Sequence, residues 1–298
     1  MADSLLNWLA LREPADTDAR SQRLTNEALA AIGRHDPLSI LDLGTGTASN
    51  VRYLAGRLPV PQRWLIIDRD PDLLAEARAQ MSSWGAIRGY DVSARGDEVV
   101  IRGKEMDCRI ETSCQDLGRL EDPGIFAGRH LVTASAFLDL VSERWLQHLA
   151  ARCRDVGAVV LFALTYDGRS HCFPEEPEDD EIRELLNRHQ RASDKGFGPA
   201  AGPEAVEHVS RAFAAVGYRV RREATNWLLP SDNREFQTEL IEGWARAALE
   251  IAPDRAGKIG SWLSRRLGHV EAGRSVLTVC HEDVAAWSPS AVSHDSRA

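Results

Sequence analysis

The sequence is short of basic residues and of long apolar runs. Its 298 residues include 36 Lys and Arg against 45 Asp and Glu, which gives a formal net charge of −9. Because contacts to phosphates need clustered Lys and Arg, this balance argues against a nucleic-acid partner, although a basic groove on an acidic protein would still be compatible with it. No apolar run approaches the length that crosses a bilayer, so no membrane partner is expected.

Cysteine is also scarce. The chain has five, and Cys108 and Cys114 lie six positions apart while the others are scattered. None forms a Cys-x-x-Cys pair or a Cys/His spacing typical of zinc, so no metal site is predicted. Isolated thiols are typical of a reducing cytosol, and the acidic start Met1-Ala2-Asp3-Ser4 lacks the apolar core of a signal peptide. We therefore expect a cytoplasmic protein whose oligomeric state the sequence leaves open.

The most informative stretch is a glycine-containing turn after a short apolar run. Residues 39–43 are typical of a buried strand, Gly44 and Gly46 follow, and residues 48–58 have a helical pattern. Glycine tolerates a positive φ and lets a ligand approach the backbone. A second apolar run ends in Asp68, at roughly the spacing of the ribose-binding acid in nucleotide-binding α/β folds, about 20 residues on.

Two departures from the dinucleotide-binding fingerprint argue against a dinucleotide as the ligand. Ser49 stands where G-x-G-x-x-G requires its third glycine. Asp42, just before the loop, can accept hydrogen bonds from a charged amino group, which a dinucleotide does not offer there. A nicotinamide dinucleotide is therefore the less favoured ligand.

The stretch Asp42-Leu43-Gly44-Thr45-Gly46 resembles the first motif of the class I S-adenosylmethionine-dependent methyltransferases, acid-x-Gly-x-Gly. Ala48 stands where many members carry a third glycine, and Asp68 matches their ribose-binding acid. Residues 111–117 resemble the next motif, in which Asp116 would take the adenine amino group and the backbone amide of Leu117 a ring nitrogen. Residues 131–138 resemble the fourth strand, with His130 where an Asp often opens it. The resemblance spans roughly residues 20 to 165 and returns weakly at the C-terminus.

The resemblance implies S-adenosylmethionine as the cofactor. The residues expected to bind it are Asp42, Gly44, Gly46, Thr47, Asp68, Arg69, Asp116, Leu117 and Ser135.

Alternating strand and helix patterns predict an α/β fold with a doubly wound, mostly parallel sheet, N-terminal helices and a helical cap insertion. The resemblance implies that the sheet has seven strands and is of the Rossmann-like methyltransferase kind. We expect a single domain over residues 1–288: helical cover (1–35), cofactor-binding core (36–165), cap and substrate region (166–274) and last strand (275–288). A Ser-rich tail (289–298) is expected to be disordered.

Three segments carry further expectations. Helix 3–12 should break at residues 13–16, with Thr17 or Asp18 capping the next helix. The acidic stretch 174–181 should be a solvated connection. Residues 195–203, rich in Gly and Pro, should form either a mobile lid or a plain connection.

The candidate catalytic residues are Asp139, Tyr166 and His171. Asp139 follows the fourth strand, at the mouth that the family turns toward the methyl group, where it would orient an amine or hydroxyl; the alternative is a helix N-terminal acid. Tyr166 lies at a strand end, where such sheets carry their sites. His171, like His189, would be a base or an ordinary surface residue. Arg20 would meet a substrate carboxylate or phosphate, or form a surface ion pair.

These features predict methyl transfer from S-adenosylmethionine to a small-molecule acceptor, at oxygen or nitrogen, by in-line displacement. The alternatives are a nucleotide-binding oxidoreductase and a methyltransferase-like fold with a non-catalytic or aminopropyl-transfer role.

Overall fold

The computed structural model describes residues 2–118, 120, 122–192 and 194–289. Its helices are α1 (Ala2–Ala19), α2 (Gln22–Ile32), α3 (Ser49–Ala55), α4 (Pro71–Ile87), α5 (Glu143–Val156), α6 (Asp179–Ala192), α7 (Ala205–Ala215), α8 (Arg234–Ile251) and α9 (Ala256–Glu271). Its strands are β1 (Leu38–Leu43), β2 (Gln62–Asp68), β3 (Asp91–Arg95), β4 (Glu98–Gly103), β5 (Met106–Cys114), β6 (Leu131–Ser135), β7 (Val159–Phe173), β8 (Arg219–Ala224), β9 (Trp227–Leu229) and β10 (Val276–Trp287).

The strands form one sheet in the order β3-β4-β5-β2-β1-β6-β7-β10-β8, with β9 paired to β10. The five central strands, from β5 to β7, are parallel, and the chain winds outward from β1 in both directions. The expected last strand is β10, which pairs antiparallel with both β7 and β8. The predicted doubly wound, mostly parallel fold is confirmed, with ten strands rather than seven.

The extra strands lie at the edges of the sheet. The hairpin β3–β4 extends the sheet beyond β5 because β4 alternates, with Val99 and Ile101 buried against α4 and β3 left largely exposed. β9 adds a short edge beside β10.

Two helical layers cover the sheet, as a central parallel sheet requires. Helices α2, α3 and α4 bury their apolar residues on one face, and α5 and α7 on the other. A third apolar cluster holds the cap, in which α6, α8 and α9 pack against the extended ends of β7 and β10. The expected cap region 166–274 therefore contains two parts. The helices α6, α8 and α9 form the cap, whereas α7 covers the main sheet and β8 is one of its strands.

The predicted break at residues 13–16 is wrong, because α1 runs unbroken through Pro14. Tertiary bonds hold this turn in place despite the hydrogen bond that proline removes. Glu13 pairs with Arg52, and Asp16 accepts hydrogen bonds from Arg12 and from the Trp227 indole. Neither Thr17 nor Asp18 caps α2; the Ser21 hydroxyl accepts from the Leu24 amide at 2.9 Å.

The acidic stretch 174–181 was expected to be a solvated connection. That expectation is wrong, because acidic side chains of the stretch are bonded to α9. Glu176 pairs with Arg265 and His269, and Asp179 pairs with Arg266 and accepts from the Trp262 indole. The Arg266 side chain is 0 % exposed. A buried guanidinium needs a counter-charge, so the acids that open α6 determine where α9 lies.

Of the expected disordered tail, residues 290–298 lie outside the described part of the chain. Within the described residues, no helix combines the length and apolarity that crossing a membrane needs, and no group of His, Cys, Asp and Glu could hold a metal ion.

Replacing Asp179 with Asn should destabilise the fold. The substitution leaves Arg266 buried without its counter-charge, so chemical denaturation should show a loss of roughly 3–5 kcal/mol in the free energy of unfolding. Asp180→Asn is the matched control: its carboxylate pairs with Arg183 at 2.8 Å but is 86 % exposed, so its effect should stay below about 1 kcal/mol. Equal losses in the two variants would contradict the inferred role of Asp179.

Candidate functional site

The glycine-containing loop turns sharply at the carboxyl end of β1. Gly44 and Gly46 have φ values of +62° and +54°, and the Thr45 amide donates to the Ile67 carbonyl of the neighbouring strand β2. A Cβ added at Gly44 would lie 2.6 Å from the ring of Phe137. Glycine is therefore needed here both for its φ and for the aromatic ring packed against it.

Asp68, at the end of β2, links the glycine-containing loop to the loop that follows β2 through hydrogen bonds. Its Oδ2 accepts from the Gly46 amide at 2.9 Å and its Oδ1 from the Asp70 amide at 3.1 Å. Each carboxylate oxygen has a second lone pair, so the group can still accept hydrogen bonds from a ligand's hydroxyls.

Asp42 lies beneath the loop and is 1 % exposed. It accepts from the Thr45 hydroxyl and from the Asn50 side-chain amide, each at 2.6 Å. Burial raises the pKa of this carboxyl to about 6, and the two hydrogen bonds and the nearby Arg20 only partly offset that rise. At neutral pH this carboxyl is therefore mostly ionised although it is buried.

Three cavities meet at this edge of the sheet, and Ala136 lines all of them. The outer cavity, of about 220 Å³, has Asp68, Arg69, Leu117 and Phe197 among its walls. The loop cavity, of about 80 Å³, is lined by the glycine loop and the polar residues below it. The aromatic cavity, of about 700 Å³, lies between α1, α8 and the ends of β7 and β10.

The aromatic cavity has the size and lining of a small-molecule site. Trp8, Trp227, Trp244 and Tyr166 form much of its wall together with leucines. Such sites are mostly apolar with a few placed polar groups, at volumes of about 300–1,000 Å³.

An acid and an imidazole in this wall are buried. Burial raises the pKa of Asp139 to about 6, against weaker opposing effects of Arg12 and Lys195. Burial and the nearby Arg12 lower the pKa of His281 to about 3, so its imidazole is neutral at physiological pH. The Nδ1 atom of His281 is buried without a hydrogen-bond partner among the described residues.

The structure brings most of the predicted site residues together. Gly44, Asp68, Arg69 and Leu117 line the outer cavity, and Asp42, Gly44, Gly46, Thr47 and Ser135 line the loop cavity. Asp139 and Tyr166 line the aromatic cavity, where burial raises the pKa of Tyr166 and its hydroxyl donates to Asn187.

Two predicted residues lie outside these walls. Asp116 is exposed, and its Oδ1 accepts from the Gly118 amide at 2.9 Å, while its neighbour Gln115 lines the outer cavity. His171 is exposed on β7, paired in register with Thr278, and does not line the aromatic cavity.

Sequence patterns did not identify four residues of the aromatic cavity: Trp8, Arg12, Trp244 and His281. They come from α1, α8 and β10, far apart in the chain, and no local motif marks them. Arg20 was expected to meet a substrate carboxylate or phosphate or to form a surface ion pair. Its side chain is only 2 % exposed, and its Nε lies 3.7 Å from Asp283, so its ion pair is buried.

The segment at residues 194–201 borders two cavities. The Lys195 carbonyl accepts from Arg69 at 2.8 Å, and the Phe197 ring packs edge-on against Phe137 and Trp145. Phe197 lines the outer cavity, whereas Lys195 lines both the outer and the aromatic cavity. The segment therefore forms part of the wall of the site and is not only a connection between helices.

No protein-family model matches the sequence, and no curated protein matches it. Among solved structures, the chain is similar to the cyclopropane synthase MmaA2 from Mycobacterium tuberculosis, at 11 % identity over 88 % of this chain and 82 % of that one, with a TM-score of 0.43. It is also similar to an S-adenosylmethionine-dependent methyltransferase from Geobacter sulfurreducens in complex with S-adenosyl-L-homocysteine, at 16 % identity, 93 % and 98 % coverage and a TM-score of 0.43. A third is the 4+2 cyclase SpnF, at 15 % identity, 91 % and 85 % coverage and a TM-score of 0.42. One of these three chains is named as a methyltransferase, and at these identities and TM-scores the comparison assigns no activity.

Asp139→Asn should stabilise the protein at pH 7.5. The native pKa of about 6 exceeds the unfolded value of 3.8, so the native state binds more protons between these values and stability falls as pH rises through them, by roughly 3 kcal/mol. Thermal unfolding should therefore show a higher Tm for the variant at pH 7.5 and little difference at pH 4. The exposed Asp107→Asn is the control and should show no such pH dependence. A variant less stable than its parent at pH 7.5 would contradict the inference.

Proposed function

We propose that the chain transfers a methyl group from S-adenosylmethionine to the oxygen or nitrogen of a small-molecule acceptor. The observation that carries this proposal is the junction at Ala136. There the outer and loop cavities, which both have Gly44 of the glycine loop among their walls, share a wall residue with the aromatic cavity. A cofactor trough whose middle meets an acceptor cavity is what direct group transfer between two bound molecules requires.

The residues around the trough fit the proposed cofactor. Asp68 is placed to accept from ribose hydroxyls, and Leu117, Phe137 and Phe197 offer apolar surface for the adenine. Asp42 provides a carboxylate at the other end, near the backbone of Thr47 and Ser135. The cofactor, when bound, supplies a methyl group already activated by a positive sulfur. Asp116, expected to meet the adenine amino group, remains a prediction.

The protein then has to orient the acceptor, exclude water and move one proton. The tryptophans and leucines of the aromatic cavity supply a dry, shaped wall. Asp139 is the general base in this proposal, because a carboxyl with a pKa of about 6 is ionised at neutral pH and still basic enough to take a proton. Tyr166 positions rather than deprotonates, since burial raises the pKa of its hydroxyl.

The unpartnered polar atoms of the cavity describe the acceptor. Gln190 contributes a buried Oε1 that has no hydrogen-bond partner among the described residues. This oxygen accepts hydrogen bonds, and so does the ionised Asp139 proposed as the base, so the molecule that meets both presents a donor, either a hydroxyl or an amine. A mostly apolar cavity with aromatic walls suits a small ring-bearing molecule better than a nucleic acid. We also propose a cytoplasmic location, on the basis of five free thiols.

Calorimetry separates this proposal from the oxidoreductase alternative. The chain should bind S-adenosylhomocysteine and show no binding of NAD under the same conditions. Incubation with methyl-labelled cofactor and a cell extract should then yield labelled small molecules. Binding without any transfer would favour the non-catalytic alternative. Transfer of an aminopropyl group from the decarboxylated cofactor would favour the aminopropyl-transfer role.

Asp68→Asn should weaken binding of S-adenosylhomocysteine. The amide keeps the shape of the side chain but replaces one acceptor by a donor and removes the charge, which costs charge-assisted hydrogen bonds worth about 1.5–3 kcal/mol each. We expect the Kd from calorimetry to rise on the order of tenfold or more. Asp72→Asn, an exposed residue in the first turn of α4, should bind like the parent. Unchanged affinity in a folded Asp68→Asn protein would exclude Asp68 as the ribose ligand.

Turnover at saturating cofactor should fall as pH drops below about 6. In that range Asp139 becomes protonated and can no longer accept the acceptor's proton. Asp42 titrates in the same range, but its protonation should appear as weaker cofactor binding, which calorimetry measures separately. Asp139→Asn should turn over at least tenfold more slowly and lose this acid limb. A variant that keeps the parent's pH profile would show that Asp139 is not the base.

A further inference from the structure

The wall of the aromatic cavity carries two carboxylates, one from each side of the cavity. Asp139 follows β6 and is only 9 % exposed, and Glu239 lies on α8 and is partly buried. Neither forms an ion pair with another residue in the described part of the chain. An ionised carboxylate in a largely apolar wall is costly unless a positive charge compensates it. The two groups therefore call for a cation that the described residues do not place there.

The basic residues of the same wall are engaged elsewhere or exposed. The Arg12 guanidinium pairs with Asp16 at 2.8 Å. The Arg246 side chain is 64 % exposed and lies 3.9 Å from Glu242. Lys195 is exposed and borders the outer cavity as well. With the two pairs set aside, one exposed lysine stands against two carboxylates, and the wall keeps an excess of negative charge.

Aromatic rings form much of the remaining wall. The rings of Trp8 and Trp227 stand at 66° to each other, and those of Tyr166 and His281 at 63°. Because the rings meet at steep angles, they bound the cavity on more than one side. Aromatic faces attract cations, and one cation already lies near such a face, since the Arg12 guanidinium carbon is 5.3 Å from the centre of the Trp227 ring. His281 does not repel a cation, because burial keeps its imidazole neutral at physiological pH.

Gly243 leaves open space beside Glu239. It lies one turn further along α8 and also lines the cavity. Apart from its own helix, a Cβ added there would approach only one described side chain, that of Arg246 at 3.8 Å. Glycine in the interior of a helix is destabilising relative to alanine, and no close contact requires it here. The missing side chain gives a ligand room next to the Glu239 carboxylate.

We propose that the acceptor is an alkylammonium carried on a small ring, with its charge held by Glu239 and Asp139 and its ring among the tryptophans. The buried Oε1 of Gln190, which has no hydrogen-bond partner among the described residues, accepts one of its N–H groups. The inference rests on the proposed function and decides between oxygen and nitrogen in favour of nitrogen.

The two carboxylates have different tasks in the transfer. Asp139 takes one proton from the ammonium, which frees the lone pair of the nitrogen. That lone pair forms the bond to the methyl carbon as the C–S bond breaks, and the electron pair of the C–S bond stays on sulfur. The nitrogen then carries a positive charge again, which Glu239 compensates, and Asp139 returns its proton to water.

The test uses three probes that share a phenyl ring and differ in charge: benzylamine, benzyl alcohol and benzoate. Their binding to the parent, saturated with S-adenosylhomocysteine, is followed by quenching of tryptophan fluorescence, since three tryptophans lie in the wall. Benzylamine should bind on the order of tenfold more tightly than benzyl alcohol, because only the ammonium meets both the carboxylates and the ring faces. Benzoate should bind most weakly.

Two substitutions on α8 locate the site, and a third is the control. Glu239→Gln should raise the Kd for benzylamine on the order of tenfold and leave that for benzyl alcohol unchanged. Gly243→Leu should weaken binding of all three probes, because its side chain would fill the space beside Glu239. Glu235→Gln should bind like the parent, since Glu235 is an exposed carboxylate one turn earlier on the same helix and does not line the cavity.

Each failure has a distinct meaning. A parent that binds benzylamine no more tightly than benzyl alcohol would overturn the amine inference and leave the proposed function intact. A Glu239→Gln variant that keeps the parent's preference, or a Gly243→Leu variant with unchanged affinities, would overturn the site assigned here. Failure of the parent to bind S-adenosylhomocysteine would overturn the proposed function, and titration of the probes without it would still measure the charge preference of the cavity.

Discussion

The parallel pairing of β1 with β2 and β6 is the constraint on which the site depends. Because all three strands run the same way, their carboxyl ends meet at one edge of the sheet. The hydrogen bond from the Gly46 amide to Asp68 then ties the first strand's loop to the second. Ala136, just past β6, completes the edge, and each of the three cavities is built against it. Hydrogen bonds of the backbone ladder thus place groups that are far apart in the chain within reach of one ligand.

The cap is held over this edge by buried charge and by aromatic packing together. Arg266 of α9 is neutralised by Asp179 at the start of α6, while Trp8 and Trp227 contact the same Phe236 ring of α8. Since breaking a buried ion pair leaves an uncompensated charge, these contacts specify one arrangement of helices over the sheet. The result is an aromatic cavity that shares the wall residue Ala136 with the cavities at the glycine loop.

Several groups in the site are left in unfavourable states. Asp42 and Asp139 are buried with raised pKa values, and Gln190 keeps a buried oxygen without a hydrogen-bond partner among the described residues. Proteins commonly accept such costs where a ligand supplies the missing interactions.

The sequence by itself determined the strand–loop–helix units and the residues at their ends. Local patterns are enough for this, because a buried parallel strand is apolar along its length and the turn that follows it demands glycine. Asp42, Gly44, Asp68 and Ser135 could therefore be placed from the chain alone. Only the tertiary structure decided that α1, α8 and β10 together surround the aromatic cavity. His281 and Trp244 belong to amphipathic or alternating segments like many others, and nothing in their spacing shows which side faces a ligand. The unbroken course of α1 and the pairing of the acidic stretch with α9 depend on partners distant in sequence, such as Arg52 and Arg266, whose contacts outweigh the local preference for a break or a solvated loop.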